Sequence, residues 1–300
     1  MAHTAQVYER LLADAPGAPD LAVAGRAVGE RLSERWPDLL EEIAGIAAGA
    51  QVPVEHLLAL QARTELLGGA ECSLVARRGR DGCVVAQNWD WHPDVVPLVW
   101  TVERPDGRWF STLTEAGMLG KIGLSSAGLG FGLNFLRCSL DGGVRGVPVH
   151  ILLRVLLDRT DTLDDALRLL LESPVSASSC ITVGSERGLL AAEVSPGGCR
   201  LVPPLDGRLL HTNHFLAGPP AGEDLEAAED PSTFARLQEL GRSESLTSHA
   251  GPVCRHVSAD VPWPDLRATL ASVVIEPARP RMRLTDGPPC ESSLREVPLP

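Results

Sequence analysis

The sequence has almost no lysine. Lys121 is the only lysine among 27 basic side chains, and the formal net charge is −12. Proteins that bind the phosphate backbone of nucleic acids carry clustered lysine and arginine on a basic surface. We therefore do not expect this chain to bind nucleic acid.

Long apolar runs are also missing. No window approaches the ~18 apolar residues that suggest a membrane-spanning helix. The first ten residues lack the cationic start and apolar run of a secretory signal peptide. We expect a soluble, cytoplasmic protein with no membrane partner.

Cysteine pairs of the Cys-x-x-Cys type are absent as well. The chain has seven cysteines, an odd number without regular spacing, which argues against a disulfide framework and against a structural zinc site. Free cysteines usually behave as small buried hydrophobes. Six receive this interpretation: Cys83, Cys138, Cys180, Cys199, Cys254 and Cys290. No metal or bound cofactor is expected.

The first 67 residues read as helical. Apolar residues recur at helical spacing over residues 22–48. Pro37 should break or kink that run. A further helix is predicted from Pro53, at its first helical position, to Leu67, with the Gly68-Gly69 pair as its stop.

From Cys72 onward the pattern changes to short apolar runs separated by turns. Turn signals occur at 80–82, 105–107, 117, 123 and 126–128. Helices are predicted over 147–157, 163–171 (with Thr162 as N-cap) and 233–240; strands over 180–183, 189–194 and 209–212; a loop over 217–232; and a closing hairpin from 270–275 and 282–284. Alternating blocks of helices and strands favour one α+β domain in which helical layers cover stacked sheets.

Cys72 stands between the helical segment and the first predicted strand. Thiolate is a strong nucleophile, and a cysteine at a strand start with a carboxylate and amides nearby is a candidate for covalent acyl chemistry. Asp90 follows about two short strands later. Cys72 is therefore the candidate nucleophile.

Eight strings, in order from about residue 62 to 290, resemble the acyl-coenzyme A:6-aminopenicillanic-acid acyltransferase family of N-terminal nucleophile hydrolases. They are Ala62-Arg-Thr-Glu-Leu-Leu67, Glu71-Cys-Ser73, Gln87-Asn-Trp-Asp-Trp91, Thr112-Leu-Thr-Glu-Ala-Gly-Met-Leu-Gly-Lys-Ile-Gly-Leu124, Gly132-Leu-Asn134, His211-Thr-Asn-His-Phe215, Cys254-Arg-His256 and Thr269-Leu-Ala-Ser-Val-Val274. The resemblance implies a four-layer αββα sandwich.

The resemblance also implies a precursor cut between Glu71 and Cys72. Residues 1–71 would form a helical α chain, and residues 72–300 a β chain that stays associated with it in one αββα domain. The Cys72 thiol would attack the Glu71 carbonyl, and the freed α-amine would become the general base for that thiol.

Roles for other residues follow from the resemblance. Asp90 would hydrogen-bond the new amine, Asn213 and Asn134 would donate to the tetrahedral oxygen, and Arg255 would place a cation near the nucleophile. Ser73, Gln87 and Ser195 are weaker candidates. Glu71 and Ser73 stand where the fungal penicillin acyltransferase has Gly and Thr, and Gln87 stands where bile-salt hydrolases have arginine. Ser195 before Pro196 is typical of a turn.

The implied activity is cleavage or formation of amide bonds in small N-acyl amines or peptide-like amides, through a Cys72 thioester. Hydrolysis and acyl transfer use the same residues, and acyl-coenzyme A is a possible acyl donor. The alternative is an unprocessed, non-catalytic binding or scaffold protein that retains the fold. A homo-oligomer is possible in either case.

Other motifs have simpler explanations. A metal site drawn from His211, His214, His249 and His256 with nearby cysteines is disfavoured, because His-x-x-His on a strand places the two rings on different faces and no Cys-x-x-Cys pair supports the site. The glycines at 128, 130 and 132 lack dinucleotide-binding spacing and fit hairpin packing. Trp89, Trp91 and Trp100 either line an acyl pocket or pack in the core.

Overall fold

The structure, a computed structural model, describes residues 1–15, 20–69, 71–226, 230–242 and 253–300. Its helices are α1 (Ala2–Ala13), α2 (Leu21–Arg35), α3 (Pro37–Ala50), α4 (Val54–Gln61), α5 (Arg63–Leu67), α6 (Val149–Arg159), α7 (Leu163–Glu172) and α8 (Ser232–Arg242). None of these helices combines the length and the apolar character that crossing a membrane requires.

The helical start of the chain is confirmed, with one correction. Pro37 opens α3 directly after the junction residue Trp36, as the sequence predicted. The helix expected from Pro53 to Leu67 is instead two helices that meet at Ala62, and Pro53 is the N-cap. The buried Gln61 side chain donates to the Gly117 carbonyl, so the junction is tied to the β-rich body by a long-range contact.

The strands form two antiparallel sheets. The strands are β1 (Glu71–Gly79), β2 (Gly82–Trp91), β3 (Pro97–Glu103), β4 (Trp109–Glu115), β5 (Ile122–Ser125), β6 (Leu129–Phe135), β7 (Ser179–Ser185), β8 (Leu189–Ser195), β9 (Gly198–Val202), β10 (Arg208–His211), β11 (Ala268–Glu276), β12 (Arg281–Leu284) and β13 (Arg295–Glu296). Sheet 1 has the order β10-β1-β2-β11-β12-β13, and sheet 2 has the order β3-β4-β5-β6-β7-β8-β9.

The two sheets stack face to face through β1 and β2 against β6 and β7. Glycines of β6 permit this approach: a Cβ on Gly132 would lie 2.3 Å from the Leu74 side chain, and one on Gly130 would lie 2.8 Å from Ile275. Gly128 lies in the β5–β6 turn, as hairpin packing predicts, whereas Gly130 and Gly132 lie inside β6 and not between strands. The glycines let sheet 1 lie close to sheet 2.

Helices cover the outer faces of both sheets. The α6 and α7 helices pack on sheet 2, and α8 packs on β1 and β10 of sheet 1. The α1–α5 group is joined to α6 by a bidentate ion pair in which Arg154 donates to Glu42 at 2.7 Å. The predicted layers of helix, sheet, sheet and helix are confirmed.

Smaller expectations need adjustment. Gly123, predicted as a turn, lies inside β5, where a Cβ would be 2.3 Å from the Ser111 carbonyl oxygen. The exposed strand β9 and the two-residue β13 were not predicted. Residues 227–229 of the predicted loop over 217–232 lie outside the described residues.

Candidate active site

Cys72 is the second residue of β1 and is buried, with 4% of its surface exposed. Its backbone N–H donates to Oδ1 of Asn213 at 3.0 Å. In the β1–β2 ladder Cys72 lies opposite Trp89, and Glu71 lies opposite Asp90. The fold therefore brings the candidate nucleophile, a carboxylate and an amide to one end of sheet 1.

Asp90 is completely buried. Its Oδ1 accepts a hydrogen bond from the Thr269 hydroxyl at 2.5 Å, whereas no described residue lies within hydrogen-bond distance of Oδ2. Burial raises the pKa of Asp90 to about 7, against the lowering effects of Thr269 and Arg236. A buried carboxylate oxygen without a partner is costly, and such groups mark functional sites.

The pKa of the Cys72 thiol is raised far above 7, so this group is neutral at pH 7. Burial, followed by the negative charge of Asp90, raises the pKa of Cys72 to about 12. A hydrogen bond from Gln87 and the charge of Lys121 oppose this shift. The thiol therefore needs a base to become a nucleophile.

The hydrogen-bond partners of the Asn213 side chain identify its amide oxygen and its amide nitrogen. Oδ1 accepts from the Cys72 N–H and from the Arg236 guanidinium at 2.9 Å, so this atom must be the oxygen. Nδ2 donates to the Phe135 carbonyl at 3.0 Å. The structure thus places Asn213 in direct contact with Cys72.

Arg236 is a site residue that sequence reasoning missed. It lies on α8, is buried, and donates to the Cys72 carbonyl oxygen at 2.8 Å and to the Ser73 hydroxyl at 3.2 Å. Asp230 accepts from the same guanidinium at 3.4 Å. The only sequence signal was an arginine on the buried face of a predicted helix, 164 residues from Cys72.

Arg255 contacts the side chain of Glu71, the residue that supplies the carbonyl group of the Glu71–Cys72 peptide bond. Its guanidinium forms a very short ion pair with Glu71 and donates to the Ser232 hydroxyl at 2.5 Å. Its backbone N–H donates to the Thr269 hydroxyl at 2.8 Å, and its carbonyl accepts from the Thr269 N–H at 3.0 Å. These contacts hold the cation against Glu71.

Asn134 is buried on β6, and its Nδ2 donates to the His211 carbonyl at 3.3 Å. No described residue pairs with its Oδ1. Asn134 therefore lies between the sheets near β10, and the structure records no hydrogen bond from it to Cys72. Its role as an amide donor stays a prediction.

The three weaker candidates have different positions. Gln87 joins the sheets, since its side chain accepts from the Leu133 N–H at 2.9 Å and also donates to the Leu133 carbonyl. Ser73 is buried and bonds to Arg236 on the outer face of sheet 1. Ser195 donates to the Gly198 carbonyl at 3.3 Å in the β8–β9 turn, which fits its turn interpretation.

A cavity of about 20 Å³ borders Cys72, roughly the space that one water molecule needs. Its lining residues come from α5, both sheets and α6: Arg63, Thr64, Cys72, Trp89, Lys121, Ile122, Leu133, Phe135, His150 and Ser179. The α5 residues show that the helical segment closes one side of the site. In this structure the space beside the thiol is too small for a substrate.

A buried ionic cluster lies next to this cavity. Lys121 donates to Glu115 at 2.8 Å, and its ammonium group lies 3.7 Å from the centroid of the Trp89 ring. Arg63 donates to the same Glu115 oxygen at 2.8 Å. Although burial raises the pKa of Glu115, Arg63 and Lys121 bring it down to about 2. The cluster fixes the Glu115 carboxylate, the Arg63 guanidinium and the Lys121 side chain beside the nucleophile; burial, followed by the charge of Arg63, lowers the pKa of Lys121 to about 7.

The histidines considered for a metal site are not brought together. His211 pairs with Glu193 at 2.9 Å, whereas His214 contacts the Thr233 hydroxyl at 2.9 Å. His249 lies outside the described residues. His256 is far along the chain from these two and has other neighbours.

The tryptophans divide between the two interpretations. Trp89 lines the Cys72 cavity, and Trp91 is buried and donates to the Tyr8 hydroxyl at 3.0 Å. Trp100 is half-buried on β3 and is not among the cavity residues. Only Trp89 is therefore in a position to contact an acyl group in this cavity.

Two crystallised variants of the conjugated bile acid hydrolase from Clostridium perfringens share this architecture. Each gives a TM-score of 0.53 at 10% identity and covers 76% of this chain and 97% of the hydrolase. The fold is the αββα sandwich of the N-terminal nucleophile hydrolases.

Sequence comparison gives the family. The model of the acyl-coenzyme A:6-aminopenicillanic acid acyl-transferase family matches residues 77–289, and the chain belongs to that family. The 40 kDa form of acyl-coenzyme A:6-aminopenicillanic-acid-acyltransferase from Emericella nidulans is 32% identical over 229 residues. That alignment spans 72% of this chain and 63% of the fungal enzyme.

Proposed function

We propose that this chain is a self-processing cysteine enzyme that cleaves or forms amide bonds through an acyl thioester on Cys72. The observation that carries the proposal is the arrangement at the start of β1. There, the backbone nitrogen of Cys72 is held by Asn213, and the buried Asp90 lies in the neighbouring strand with an unpartnered carboxylate oxygen.

The first reaction is activation of the precursor. Sγ of Cys72 bonds to the carbonyl carbon of Glu71, the C–N bond of that peptide breaks, and the proton lost by sulfur passes to the Cys72 nitrogen. Water then hydrolyses the thioester: its hydroxyl goes to the Glu71 carbonyl carbon and its proton to sulfur. Asp90, whose pKa burial raises to about 7, is the base available for the first step.

Activation creates a second base. The freed α-amine of Cys72 has an ordinary pKa of about 7.7–8.0, so much of it is neutral near pH 7. Asp90 can accept a hydrogen bond from this amine at Oδ2 and orient it toward the thiol. The thiol then gives its proton to the amine as it attacks a substrate carbonyl.

Stabilisation of the tetrahedral oxygen is assigned to Asn213. In this structure its Nδ2 donates to the Phe135 carbonyl, and its Oδ1 accepts from the backbone N–H of Cys72. An amide donor aimed at the developing oxyanion is typically worth about 10²–10³ in rate. Arg236 is a positioning residue, because it bonds both the Asn213 oxygen and the Cys72 carbonyl.

The substrate class is a small N-acyl amine or peptide-like amide. Arg63 and Thr64 of α5 line the cavity beside Cys72, and we expect this side of the cavity to open to substrate after the cut. Hydrolysis results when water attacks the thioester, and acyl transfer results when an amine attacks it. Acyl-coenzyme A is a possible donor for the second route.

Intact mass under denaturing and reducing conditions tests this proposal. Wild-type protein should give two species that sum to the whole chain plus one water, with the heavier one beginning at Cys72. Cys72→Ala should give one uncut species, whereas Cys199→Ser, which removes a cysteine on β9, should be cut like the wild type.

A single uncut mass for wild-type protein would overturn self-processing and favour the scaffold alternative. Incubation of the cut protein with N-acyl amides tests the second step. A mass increase equal to the acyl group, confined to the fragment that begins with Cys72, is the expected result.

A further inference from the structure

Three metal-binding side chains meet on the surface of the described residues, outside the site of Cys72. Cys254 and His256 lie on the segment that precedes β11, and Cys290 follows β12. Sγ of Cys254, Sγ of Cys290 and one ring nitrogen of His256 all lie within 4.8 Å of one another.

The spacing of these atoms suits a tetrahedral metal ion. Zinc binds sulfur at about 2.3 Å and imidazole nitrogen at about 2.0–2.1 Å, which places two such ligands about 3.6 Å apart in a tetrahedral site. Sγ of Cys290 lies 3.3 Å from Nε2 of His256. A small relaxation of exposed side chains would therefore admit the ion.

A carboxylate lies beside Nδ1, the second ring nitrogen of His256. Nδ1 of His256 lies 3.3 Å from Oε1 of Glu291, the residue after Cys290. A histidine that binds a metal through one nitrogen usually donates its other N–H to a carboxylate or carbonyl, which fixes the tautomer and the ring plane. Glu291 therefore leaves the lone pair of Nε2 free to face the sulfur of Cys290.

We propose that Cys254, His256 and Cys290 form a binding site for a thiophilic divalent ion, with zinc as the ion best suited to two thiolates and one imidazole. Three protein ligands leave a fourth position for water. The cluster has access to solvent, because Cys290 and His256 are exposed and Cys254 is half-buried. This proposal revises the sequence expectation, which was based on the absence of a Cys-x-x-Cys pair.

The site is physically linked to the segment that carries Arg255. Arg255 stands between two of the ligands, and its backbone bonds to Thr269, whose hydroxyl also donates to Asp90. A bound ion would fix this segment to the turn after β12. An effect of the ion on cleavage would rest on the proposed function, whereas the binding itself does not.

Metal titration of the full chain tests the site. Reduced, chelator-treated protein is titrated with Zn²⁺ in competition with a chromophoric chelator, and Co²⁺ is used in parallel because thiolate ligation gives it visible absorption bands. One equivalent should bind. Cys290→Ser and His256→Ala should each weaken binding at least ~100-fold, and Glu291→Gln should weaken it about 10–100-fold.

Three controls keep this result separate from the proposed function. Cys199→Ser should bind zinc like the wild type, because Cys199 lies on β9 and is not part of the cluster. Cys72→Ala should also bind one equivalent, whether or not the wild type cuts itself. Thermal unfolding of the Cys290→Ser protein without metal should match the wild type without metal.

Several outcomes would overturn the proposal. One is a lack of stoichiometric binding by the wild type. Another is binding that survives in Cys290→Ser or disappears in Cys72→Ala. The third is a non-reduced mass lower by two hydrogens that Cys290→Ser restores, since that would show a Cys254–Cys290 disulfide in place of the metal ligands.

Discussion

The chain contains two cysteine centres with opposite surroundings. Cys72 is buried at the start of β1 among a carboxylate, two amides and a buried guanidinium. Cys290 is exposed after β12, with a second cysteine and a histidine as neighbours. The first is the site that we propose for acyl chemistry, and the second is the site that we propose for a metal ion.

The comparison shows that environment decides what a thiol can do. Burial and the charge of Asp90 raise the pKa of Cys72 to about 12, so the proposed reaction needs a base that deprotonates this thiol. At Cys290 a bound cation would itself favour the thiolate. Substitution of Cys72 should therefore affect self-cleavage, and substitution of Cys290 should affect metal binding.

The largest effect is expected from Cys72→Ser. A hydroxyl holds its proton more tightly than a thiol and is a weaker nucleophile, so self-cleavage should slow by at least about 10³-fold. Cys290→Ser should slow it less than tenfold. Quenched time courses on denaturing gels measure both cleavage rates. Equal losses of rate in the two variants would show that the two cysteine centres do not act separately.

Asn213→Asp should produce the next largest effect. Aspartate keeps an acceptor for the Cys72 N–H and for Arg236 but lacks the amide donor, so turnover of an N-acyl amide should fall about 10²–10³-fold. Thermal unfolding checks that the fold is kept. A rate within threefold of the wild type would remove Asn213 from oxyanion stabilisation.

Asp90→Asn should change the pH dependence of stability, measured in the uncut Cys72→Ala background. The folded pKa of Asp90 is about 7 and its ordinary value is 3.8, so between these values the folded state holds a proton that the unfolded state has lost. Stability with Asp90 should therefore fall as pH rises from about 4 to 7, by roughly 1 kcal/mol per pH unit relative to Asp90→Asn. Thermal unfolding at several pH values measures the difference, and parallel curves would contradict the raised pKa.

Arg255→Gln should have the smallest effect. Its side chain is 30% exposed, and partly solvated ion pairs are worth about 1 kcal/mol or less, so loss of the pair with Glu71 should slow cleavage only a few-fold. Arg279→Gln, which removes an exposed pair with Asp81, is the matched control and should cut at the wild-type rate. A hundredfold loss would instead support the role near the thiolate that the family resemblance implied.

Local patterns predicted most of the fold. Pro37, the turn at 80–82 and the Thr162 cap each act within a few residues, and the structure confirms all three. The break at Ala62 depends on contacts with distant residues. Strand β9 is exposed along most of its length, so it lacks the apolar alternation that identifies a half-buried strand.

The candidate site was predictable only where a motif marked it. Family strings pointed to Cys72, Asp90 and Asn213, and the structure gathers these three at one end of sheet 1. Arg236 lies in no such string, so only the packing of α8 on β1 reveals it. The Cys254 cluster was missed for a related reason, since Cys290 is 34 residues from His256 and only the fold unites them.

The buried Glu115 has a consequence for the product of self-cleavage. It binds Tyr8 and Arg63 from the helical segment and Lys121 from the β-rich body, so two of these contacts join residues on opposite sides of the Glu71–Cys72 bond. A cut there would turn an intramolecular core into the interface of a heterodimer that had folded as one chain. Two fragments produced separately would have to desolvate Glu115 and its partners in a bimolecular encounter, so co-folding before cleavage is the favourable route to the assembled pair.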